Sequence, residues 1–444
     1  MPTRHVVIIG ASTTGLFAAA AAARAGCAVS VLERDVLPTE PLARPSVPQD
    51  VQPHVFLHRG LLAAEQLLPG FRDDLLDAGA VAFDTARMAW LGAQGWADRT
   101  GPTFEVFSVS RPLFETTLRR RVAGLDGVQI IDGSQVTGLT STVQRWRVST
   151  ADHEDRDADL VVDASGRNSR LAVWLGDRLP GPVRTTEIDA RVGYAARRYR
   201  GDPRLGDIPG VLVAATPTNP KGGLAIAIEA DQWLVAALGV GDNRPPRDEA
   251  GFDAFLADLR DPAVAEVARR LEPLGDVHVH RQTANRRRHF SEAENWPDGV
   301  IVMGDAFCAF DPVYGQGMTV GATESVLLRD ALRRGFGPGA ARRLLRAFDK
   351  EVSLPWSIAT ATDMQFPTCP QSPTRLGAVQ DGWARQLERL SVHGNARAAR
   401  ALSSAYHLMA RPHQLVQPAL IWASVRGGVR GYGEANPRPA ALPG

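Results

Sequence analysis

The sequence of 444 residues predicts an α/β fold: a parallel sheet, an inserted antiparallel sheet and a helical region at the C-terminal end. Three observations lead to this class. Apolar runs at residues 6–9 and 301–303 have the continuous character of buried parallel strands. Between residues 184 and 289 the pattern changes to alternating β segments. Beyond residue 321 the pattern is mostly helical.

The first apolar run leads into a glycine-rich turn that contains Gly10 and Gly15, and an alanine-rich helix follows at about residues 15–25. In such a turn a backbone N–H approaches a pyrophosphate closely, and the helix N-terminus faces its charge. Glu33 ends the second strand about 20 residues beyond Gly10, where a carboxylate accepts hydrogen bonds from ribose hydroxyls. Ser12 replaces the usual middle glycine. The unit predicts a Rossmann-like dinucleotide-binding domain.

A second glycine-rich turn follows the apolar run at residues 301–303. Gly304 and Asp305 form an acidic turn, and residues 315–318 form a glycine-rich loop that opens onto a helix. Two turns some three hundred residues apart imply a cofactor long enough to reach both. FAD is the natural candidate.

The expected domain boundaries follow these patterns. The FAD-binding domain is expected to be discontinuous, in residues 1–75, 105–178 and 290–345. A substrate-binding β-sheet domain is expected in residues 76–104 and 179–289, and a C-terminal helical region in residues 346–444. The tail from residue 427, which is rich in Gly and Pro, is expected to be loosely ordered.

Composition excludes several classes of partner. Lys+Arg total 50 and Asp+Glu 49, so no overall charge attracts nucleic acid or anionic lipid. No apolar run reaches the roughly 18 residues of a membrane span. Three scattered cysteines favour a reducing, cytoplasmic location over a disulfide framework. His278 and His280 have no third ligand nearby in the sequence and are expected to be paired sheet histidines, so no metal site is predicted.

Several more residues complete a set that extends over nearly the whole chain. The set comprises Gly10 to Gly15 with Glu33, Arg111 at the start of a helix, Asp163-Ala-Ser-Gly166, Gly304-Asp305-Ala306, Pro312 and Gly315-Gln-Gly-Met318. It resembles the FAD-dependent monooxygenases of the p-hydroxybenzoate hydroxylase type. The resemblance implies the following cofactor-binding residues: Gly10, Ser12, Thr14, Gly15, Glu33, Arg34, Arg111, Val136, Asp163, Gly166, Gly304, Asp305, Pro312, Gly315, Gln316, Gly317 and Met318.

The resemblance also implies individual roles. Asp305 would hydrogen-bond a ribityl hydroxyl, and residues 315–318 would present backbone N–H groups to the N1/C2 edge of the flavin. That edge becomes anionic on reduction, and a helix N-terminus stabilises charge there by about 0.3–2 kcal/mol. Arg111 would approach the phosphate or ribityl region, with a surface arginine as the alternative. Asp163 would line the cofactor, with a turn aspartate as the alternative.

A loop at residues 38–53 contains five prolines and is expected to be extended, before a helix at residues 54–68. Its segment from Arg44 to Gln49, together with His54, resembles squalene-epoxidase-like and polyether-type epoxidases, in which this loop lies near the isoalloxazine. The expected catalytic residues are therefore Arg44, His54, Pro312 and Gly315. Two positions depart from the families: Gln52 replaces a second histidine, and Thr319 replaces an asparagine.

The activity implied by the resemblance is that of an NAD(P)H-dependent FAD monooxygenase. Reduced FAD would take up O₂ at C4a as a hydroperoxide and transfer one oxygen atom to a lipophilic natural product. Trp233 and apolar strand faces of the insert are expected to form the substrate pocket. No second dinucleotide turn is visible, so NAD(P)H would dock transiently or a separate flavin reductase would supply electrons. The sequence leaves epoxidation and hydroxylation open.

Three other functions are alternatives to this one. Flavin halogenases share the fold but have a Trp-x-Trp-x-Ile-Pro motif and an active-site lysine, and this chain has only Lys221 and Lys350. An FAD-dependent reductase of the geranylgeranyl reductase type has similar flavin motifs and is the main alternative. A non-catalytic flavoprotein is the third, and NAD(P)H oxidation stimulated by a ligand would exclude it.

Overall fold

The computed structural model describes residues 4–99, 103–143, 145–151, 154–179 and 181–443. The strands in these ranges are β1 (His5–Ile9), β2 (Ala28–Leu32), β3 (Val55–Phe56), β4 (Val81–Asp84), β5 (Ala89–Gly92), β6 (Gly95–Trp96), β7 (Glu105–Ser108), β8 (Val128–Ile131), β9 (Val136–Ser141), β10 (Trp146–Thr150), β11 (Arg156–Ala158), β12 (Leu160–Asp163), β13 (Thr185–Ile188), β14 (Val192–Arg200), β15 (Gly210–Val213), β16 (Lys221–Ile228), β17 (Gln232–Val240), β18 (Glu272–His280), β19 (Asn285–Arg288), β20 (Val300–Val302) and β21 (Cys308–Ala309).

The α-helices of the same ranges complete the list of elements. They are α1 (Thr13–Arg24), α2 (His58–Leu67), α3 (Phe71–Asp77), α4 (Arg111–Ala123), α5 (Leu171–Leu175), α6 (Glu249–Ala257), α7 (Ala263–Arg269), α8 (Gly317–Arg333), α9 (Ala340–Glu351), α10 (Ser353–Asp363), α11 (Arg375–Val392), α12 (Ala396–Tyr406), α13 (Pro412–Leu415) and α14 (Pro418–Arg430). Within these ranges no helix has both the length and the apolar character needed to cross a bilayer.

The parallel sheet brings the two glycine turns together. Its strand order is β20-β12-β1-β2-β8, and every pair is parallel. The register pairs Ile9 with Asp163 and Asp163 with Val302, so β1, β12 and β20 end side by side. The turns after these three strands therefore meet at one edge of the sheet, where ligands of open α/β sheets bind. Helices α1 and α8, which begin at these turns, pack against each other.

The insert is a seven-stranded sheet with the order β18-β14-β17-β16-β15-β5-β6. All pairs are antiparallel except β5 with β15. One face packs on α6 and α7 and has its own core, which includes Trp233 and Phe252. The other face contributes Ile226 and Leu234 to the core of the parallel sheet. The α/β class with an inserted antiparallel sheet and C-terminal helices is confirmed.

The C-terminal tail is not loosely ordered, which corrects the expectation for residues from 427 onwards. Helix α14 continues to Arg430. Beyond it, Arg438 pairs with Asp261 at 3.3 Å and with Glu266 at 2.8 Å, while Leu442 is buried in the core of the insert. Gly and Pro disfavour regular structure here, but these side chains anchor the extended chain to the insert.

Candidate functional site

A cavity of about 400 Å³ lies at the edge of the parallel sheet where the two turns meet. Most of the residues that the sequence predicts for the site line it: Gly10, Ser12, Thr14, Glu33, Arg34, Arg44, His54, Arg111, Val136, Gly166, Asp305, Pro312, Gly315, Gln316, Gly317 and Met318. The remaining three, Gly15, Asp163 and Gly304, lie directly behind the wall and shape it, as their contacts below show.

The first turn has room for backbone only. Gly10 has a φ of +101°, a left-handed conformation that favours glycine, and a side chain on Gly15 would overlap the Gly10 carbonyl. A Cβ on Gly10 would also lie 2.7 Å from the Ala164 carbonyl oxygen. The helix N-terminus of α1 is therefore open to a ligand in the cavity.

Ser12 provides a hydroxyl in place of the usual middle glycine. It occupies the N-cap position of α1, but its Oγ makes no capping hydrogen bond. Ser12 Oγ donates instead to Glu115 Oε2 at 2.8 Å and accepts from Arg111 Nη2 at 2.8 Å. Ser12 thus links the turn to helix α4, which Arg111 begins.

Two buried arginines flank Glu115 beside this turn. Arg111 Nη2 also donates to Thr13 Oγ1 at 3.0 Å, and Arg44 Nη2 lies 2.7 Å from Glu115 Oε1. The Nε atoms of both arginines are buried without a hydrogen-bond partner among the described residues. Two guanidinium groups, each with an Nε donor still without a partner in the described ranges, beside an open helix N-terminus suit a diphosphate.

Glu33 is oriented by the backbone. Its Oε2 accepts from the Ala11 amide at 2.7 Å, and its Oε1 accepts from the Asp35 amide at 3.1 Å. Arg44 Nη1 lies 3.6 Å from the same Oε2. The structure therefore places the Arg44 side chain at the first turn, and not beside the second turn as the sequence predicts. The loop folds this way because buried Asp50 accepts a hydrogen bond from the Arg44 amide at 2.8 Å.

Asp163 supports the wall at the end of β12. It is fully buried and accepts hydrogen bonds from the Ser165 amide at 3.0 Å and from the hydroxyls of Ser165 and Ser169. Burial raises the pKa of Asp163 above its usual range, and these donors oppose the shift. Asp163 is a turn-shaping carboxylate, while its neighbours Ala164, Ser165 and Gly166 line the cavity.

A buried carboxyl group holds the second turn. The Gly304 amide donates to Glu324 Oε2 at 2.8 Å, and burial raises the pKa of Glu324 to about 8. The neighbouring Asp305 is half-buried at the cavity, where its Oδ2 lies 3.8 Å from Arg167 Nε. Asp305 is therefore free to accept a hydrogen bond from a ligand, while Glu324 keeps the turn in place.

The N-terminus of α8 closes the other end of the cavity. Gln316 is only 1% exposed, yet neither polar atom of its side-chain amide has a hydrogen-bond partner within the described ranges. Gln316, Gly317 and Met318 all line the cavity. Thr319, which replaces the usual asparagine, is buried against Gly60 of α2 and points away from the cavity lining. The unpartnered amide and the helix N-terminus fit the polar edge of a flavin.

Two neutral histidines line the cavity on the side of the insert. His54 Nδ1 lies 2.8 Å from the Gln52 carbonyl oxygen, and burial with the nearby Arg111 charge lowers the pKa of His54 to about 3. Burial also lowers the pKa of His280, whose Nε2 lies 3.1 Å from the Gln282 carbonyl oxygen.

The sequence prediction missed the position of His280, because only the fold brings the end of β18 to this cavity. In the described ranges no group of three His, Cys, Asp or Glu side chains could hold a metal. His278 is exposed and does not line the cavity.

Arg167 is a second residue that the sequence prediction missed. It lines the cavity and donates to the carbonyl oxygens of Ala284 and Phe310, each at 2.6 Å. Its position directly after Gly166, in the turn that the sequence already assigns to the site, could have indicated this role.

The expected pocket residue Trp233, in contrast, is 7% exposed in the core between the insert and its helices and does not line the cavity. Trp233 lies on a strand as expected, but β17 is buried on both faces and the Trp233 side chain packs in the core with the helices.

Comparisons with known proteins identify the family of this chain. A family model described as FAD binding domain matches residues 3–357. Protein Rv3254 of Mycobacterium tuberculosis is 33% identical over 398 residues, which cover 84% of this chain and 82% of that protein. The rifampicin monooxygenase of Streptomyces venezuelae is 25% identical over 327 residues, 72% of this chain and 62% of that protein. The dialkyldecalin synthase of Streptomyces rugosporus is 26% identical over 381 residues, which cover 84% of this chain and 75% of that protein.

Solved structures share the fold. The flavin-dependent brominase Bmp2 superposes with a TM-score of 0.67 at 17% identity, covering 96% of this chain and 99% of that one. The Diels-Alderase PyrE3 gives 0.61 at 20% identity, with 91% and 80% covered. The family match extends over both glycine turns and the insert between them. The chain therefore belongs to the FAD-dependent monooxygenase family of the p-hydroxybenzoate hydroxylase type.

Proposed function

We propose that this protein uses FAD and NAD(P)H to insert one oxygen atom from O₂ into a lipophilic natural product, by epoxidation or hydroxylation. The observation that carries the proposal is the cavity shared by both glycine turns, at each end of which a buried donor has no partner among the residues that the structure describes. Its lining extends from Glu33, directly after β2, to Met318 in α8, which suits an extended dinucleotide better than a compact ligand. FAD, when bound and reduced, supplies the activation of O₂.

The contacts suggest how the chain would hold FAD. Glu33 would accept the ribose hydroxyls, because its two oxygens are already oriented by backbone amides. The first turn with Arg111 and Arg44 would hold the diphosphate. Asp305 would bind the ribityl chain, and the N-terminus of α8 with Gln316 would face the flavin edge.

The remaining site residues follow from their places in the wall. Arg34 and Val136 would border the adenosine beyond Glu33. Pro312 and Gly315 would frame the reacting face of the flavin. His54 would lie near them, because its neighbour Val55 lies against Gly315. His54 would serve as a neutral hydrogen-bond partner and not as an acid, because its pKa is lowered to about 3.

The electron source is the second part of the proposal. Residues 239–241 do not form a second dinucleotide turn, because β17 ends at Val240 and a single short turn at Gly241–Asn243 follows where a helix would be needed. NAD(P)H would therefore dock transiently at the flavin, or a separate reductase would deliver the electrons.

Isotope labelling tests the reaction type. The purified protein, reconstituted with FAD, would be supplied with NADPH, ¹⁸O₂ and a panel of lipophilic polyenes and phenols. We expect one product to gain a single ¹⁸O atom, with NADPH oxidation stimulated by that substrate. Apoprotein serves as the control, since it keeps the cavity but lacks the cofactor. No labelled product with any substrate, in a preparation that consumes NADPH, would contradict oxygen insertion.

Two outcomes would identify other reactions. A reductase of the geranylgeranyl reductase type would turn over under anaerobic conditions, with a product that has gained hydrogen and no oxygen. Synthesis of a dialkyldecalin, as in the dialkyldecalin synthase of Streptomyces rugosporus, would need neither O₂ nor NADPH. Anaerobic incubations with and without NADPH therefore separate the three reactions in one experiment.

A further inference from the structure

A buried cluster of two carboxyl groups, two phenols and an amide lies behind the second glycine turn. Tyr194 OH donates to Asp311 Oδ1, and Tyr314 OH donates to Asp363 Oδ1 at 2.8 Å. Asn285 joins the halves: its Nδ2 donates to Asp363 Oδ2 at 2.5 Å, and its Oδ1 accepts from the Asp311 amide at 2.8 Å. The insert, the turn and helix α10 thus meet at one hydrogen-bonded cluster.

The two carboxyl groups hold both ends of the Pro312–Tyr314 turn. Asp311 precedes the turn and accepts from the Val313 amide at 3.1 Å. At the other end, Tyr314 precedes Gly315 and is tied to Asp363. Pro312 and Gly315 line the cavity, so the position of these two carboxyl groups sets the position of that part of the wall.

Both carboxyl groups are almost inaccessible to water. Asp311 is 1% exposed and Asp363 is 2% exposed. Burial raises the pKa of both groups, and the negative charge of Asp311 raises that of Asp363 further. Asp311 Oδ2 is buried without a hydrogen-bond partner in the described part of the chain, so a second ionised carboxylate here would add an uncompensated charge.

The charges around the pair do not supply that compensation. The groups that act on it from the surrounding elements are Arg167, Asp189, Tyr194, Tyr314 and Cys369. Arg167 favours ionised Asp311, while Asp189 disfavours ionisation of both carboxyl groups. Burial is the largest effect on the pKa of both carboxyl groups, and Arg167 opposes it at Asp311 only.

We propose that Asp311 and Asp363 hold one proton between them at neutral pH and, in that state, position the Pro312–Tyr314 turn for FAD binding. Asp363 is a positioning residue, because it acts on the cavity through the turn, whereas Asp311 also lines the cavity itself. When the proton leaves, two buried negative charges repel each other at the ends of the turn, and the flavin end of the cavity loses its shape. The proposal rests on FAD binding and not on oxygen insertion, so it can fail independently of the proposed reaction.

The test is the pH dependence of FAD binding and of stability in the wild-type chain and in Asp363→Asn. Quenching of flavin fluorescence measures the dissociation constant of FAD from about pH 5 to about pH 9. For the wild type this constant should rise in the alkaline range. The rise can reach about tenfold per pH unit, which is the limit for one linked proton. In Asp363→Asn, whose side chain at position 363 cannot ionise, this rise should be smaller by about one linked proton.

The free energy of unfolding of the apoprotein gives a readout without the cofactor. Because the folded-state pKa values are raised, the folded chain binds an extra proton, and the resulting stabilisation is present below the ordinary carboxyl pKa and lost as the pH rises through the raised one. Asp363→Asn should reduce this slope by about one proton. Asp276→Asn, at an exposed carboxylate of β18, is the matched control and should keep the wild-type profiles.

Tyr314→Phe provides a second variant in case Asp363→Asn does not fold. It removes a donor that favours the ionised form of Asp363, so the alkaline rise of the FAD dissociation constant should move to higher pH. A wild-type constant that stays flat, an Asp363→Asn profile that matches the wild type, or an unmoved Tyr314→Phe profile would each overturn the proposal.

Discussion

Thr14 occupies the space that a side chain on Gly304 would need. A Cβ on Gly304 would lie 2.6 Å from Thr14 Oγ1 and 3.0 Å from Thr14 Cβ. Residues some 290 positions apart in the sequence are thus in direct van der Waals contact, and the two turns of the cavity are packed as one unit. This contact therefore fixes the position of the first glycine turn relative to the second, and with it the shape of the cavity that a cofactor must fill.

Substitution of Gly304 by alanine should prevent FAD binding. Gly304 has a φ of +59°, where a non-glycine residue costs roughly 1–2 kcal/mol, and the new methyl group would collide with Thr14. The measurement is the flavin content of the purified protein, from the ratio of visible to ultraviolet absorbance. We expect Gly304→Ala to be isolated nearly colourless and to take up little added FAD.

Gly337→Ala is the matched control for this prediction. Nothing lies within 4 Å of a Cβ at Gly337, and its backbone is not left-handed. This variant should keep the wild-type flavin content. Full flavin occupancy in Gly304→Ala would show that the two turns can separate.

The parts of the site that the sequence predicts are those encoded by local patterns. The helix expected at about residues 15–25 is found at Thr13–Arg24, because the apolar strand, the glycine turn and the alanine run are contiguous. Likewise, Arg111 begins α4 directly after Ser110, whose Oγ caps the helix by accepting from the Leu113 amide. Strand, turn and cap each need only a few neighbouring residues.

The parts that the sequence does not predict depend on distant partners. The helix expected at residues 54–68 begins only at His58, because Val55 and Phe56 pair with β7. The loop at residues 38–53, expected to be extended throughout, contains a short turn at Pro48–Val51. Arg44 was expected at the flavin, but Glu115 and Glu33 hold its side chain at the first turn. No local pattern specifies these contacts.

Substitution of Arg44 by methionine distinguishes the two placements of that side chain. In the structure it is buried between Glu115 and Glu33, so Arg44→Met should raise the FAD dissociation constant by on the order of 100-fold, or about 2.7 kcal/mol. It should also lower the free energy of unfolding by about 3 kcal/mol, because Glu115 loses a buried ion-pair partner. Titration of apoprotein with FAD and chemical denaturation measure the two effects.

Arg87→Met is the control, since the Arg87 side chain is 51% exposed, lies 3.6 Å from Asp207 and does not line the cavity. Exposed pairs of this kind contribute about 1 kcal/mol or less. An Arg44→Met variant that binds FAD normally but reacts differently with substrate would instead favour a location at the isoalloxazine.

His54 should remain neutral across the pH range in which the enzyme is studied. Its pKa is lowered to about 3, and Gln52 fixes the tautomer with hydrogen on Nδ1. The ring ¹⁵N chemical shifts of labelled protein should report this single neutral tautomer from about pH 5 to about pH 9. The spectrum of His54→Gln assigns the signals. Titration of the His54 ring near the ordinary histidine value would contradict the lowered pKa of this half-buried side chain, and would reopen a proton-transfer role.

Glu324→Gln should have little effect at neutral pH and a clear effect on the pH dependence of stability. Because burial raises the pKa of Glu324 from 4.5 to about 8, the folded chain holds an extra proton between these values. The stabilisation is fully present below about pH 4.5 and is lost as the pH rises to about 8.

Glutamine imitates the protonated side chain and still accepts from the Gly304 amide, so the variant should lose up to about 1.4 kcal/mol per pH unit of this slope. Chemical denaturation at several pH values measures this slope.

Glu324→Leu is the informative comparison, because leucine also has no group that titrates but leaves the Gly304 amide without its acceptor. We expect it to be less stable than Glu324→Gln at every pH by about 1–3 kcal/mol and to bind FAD more weakly. If the two variants were equally stable, Glu324 would not be the group that holds the second turn.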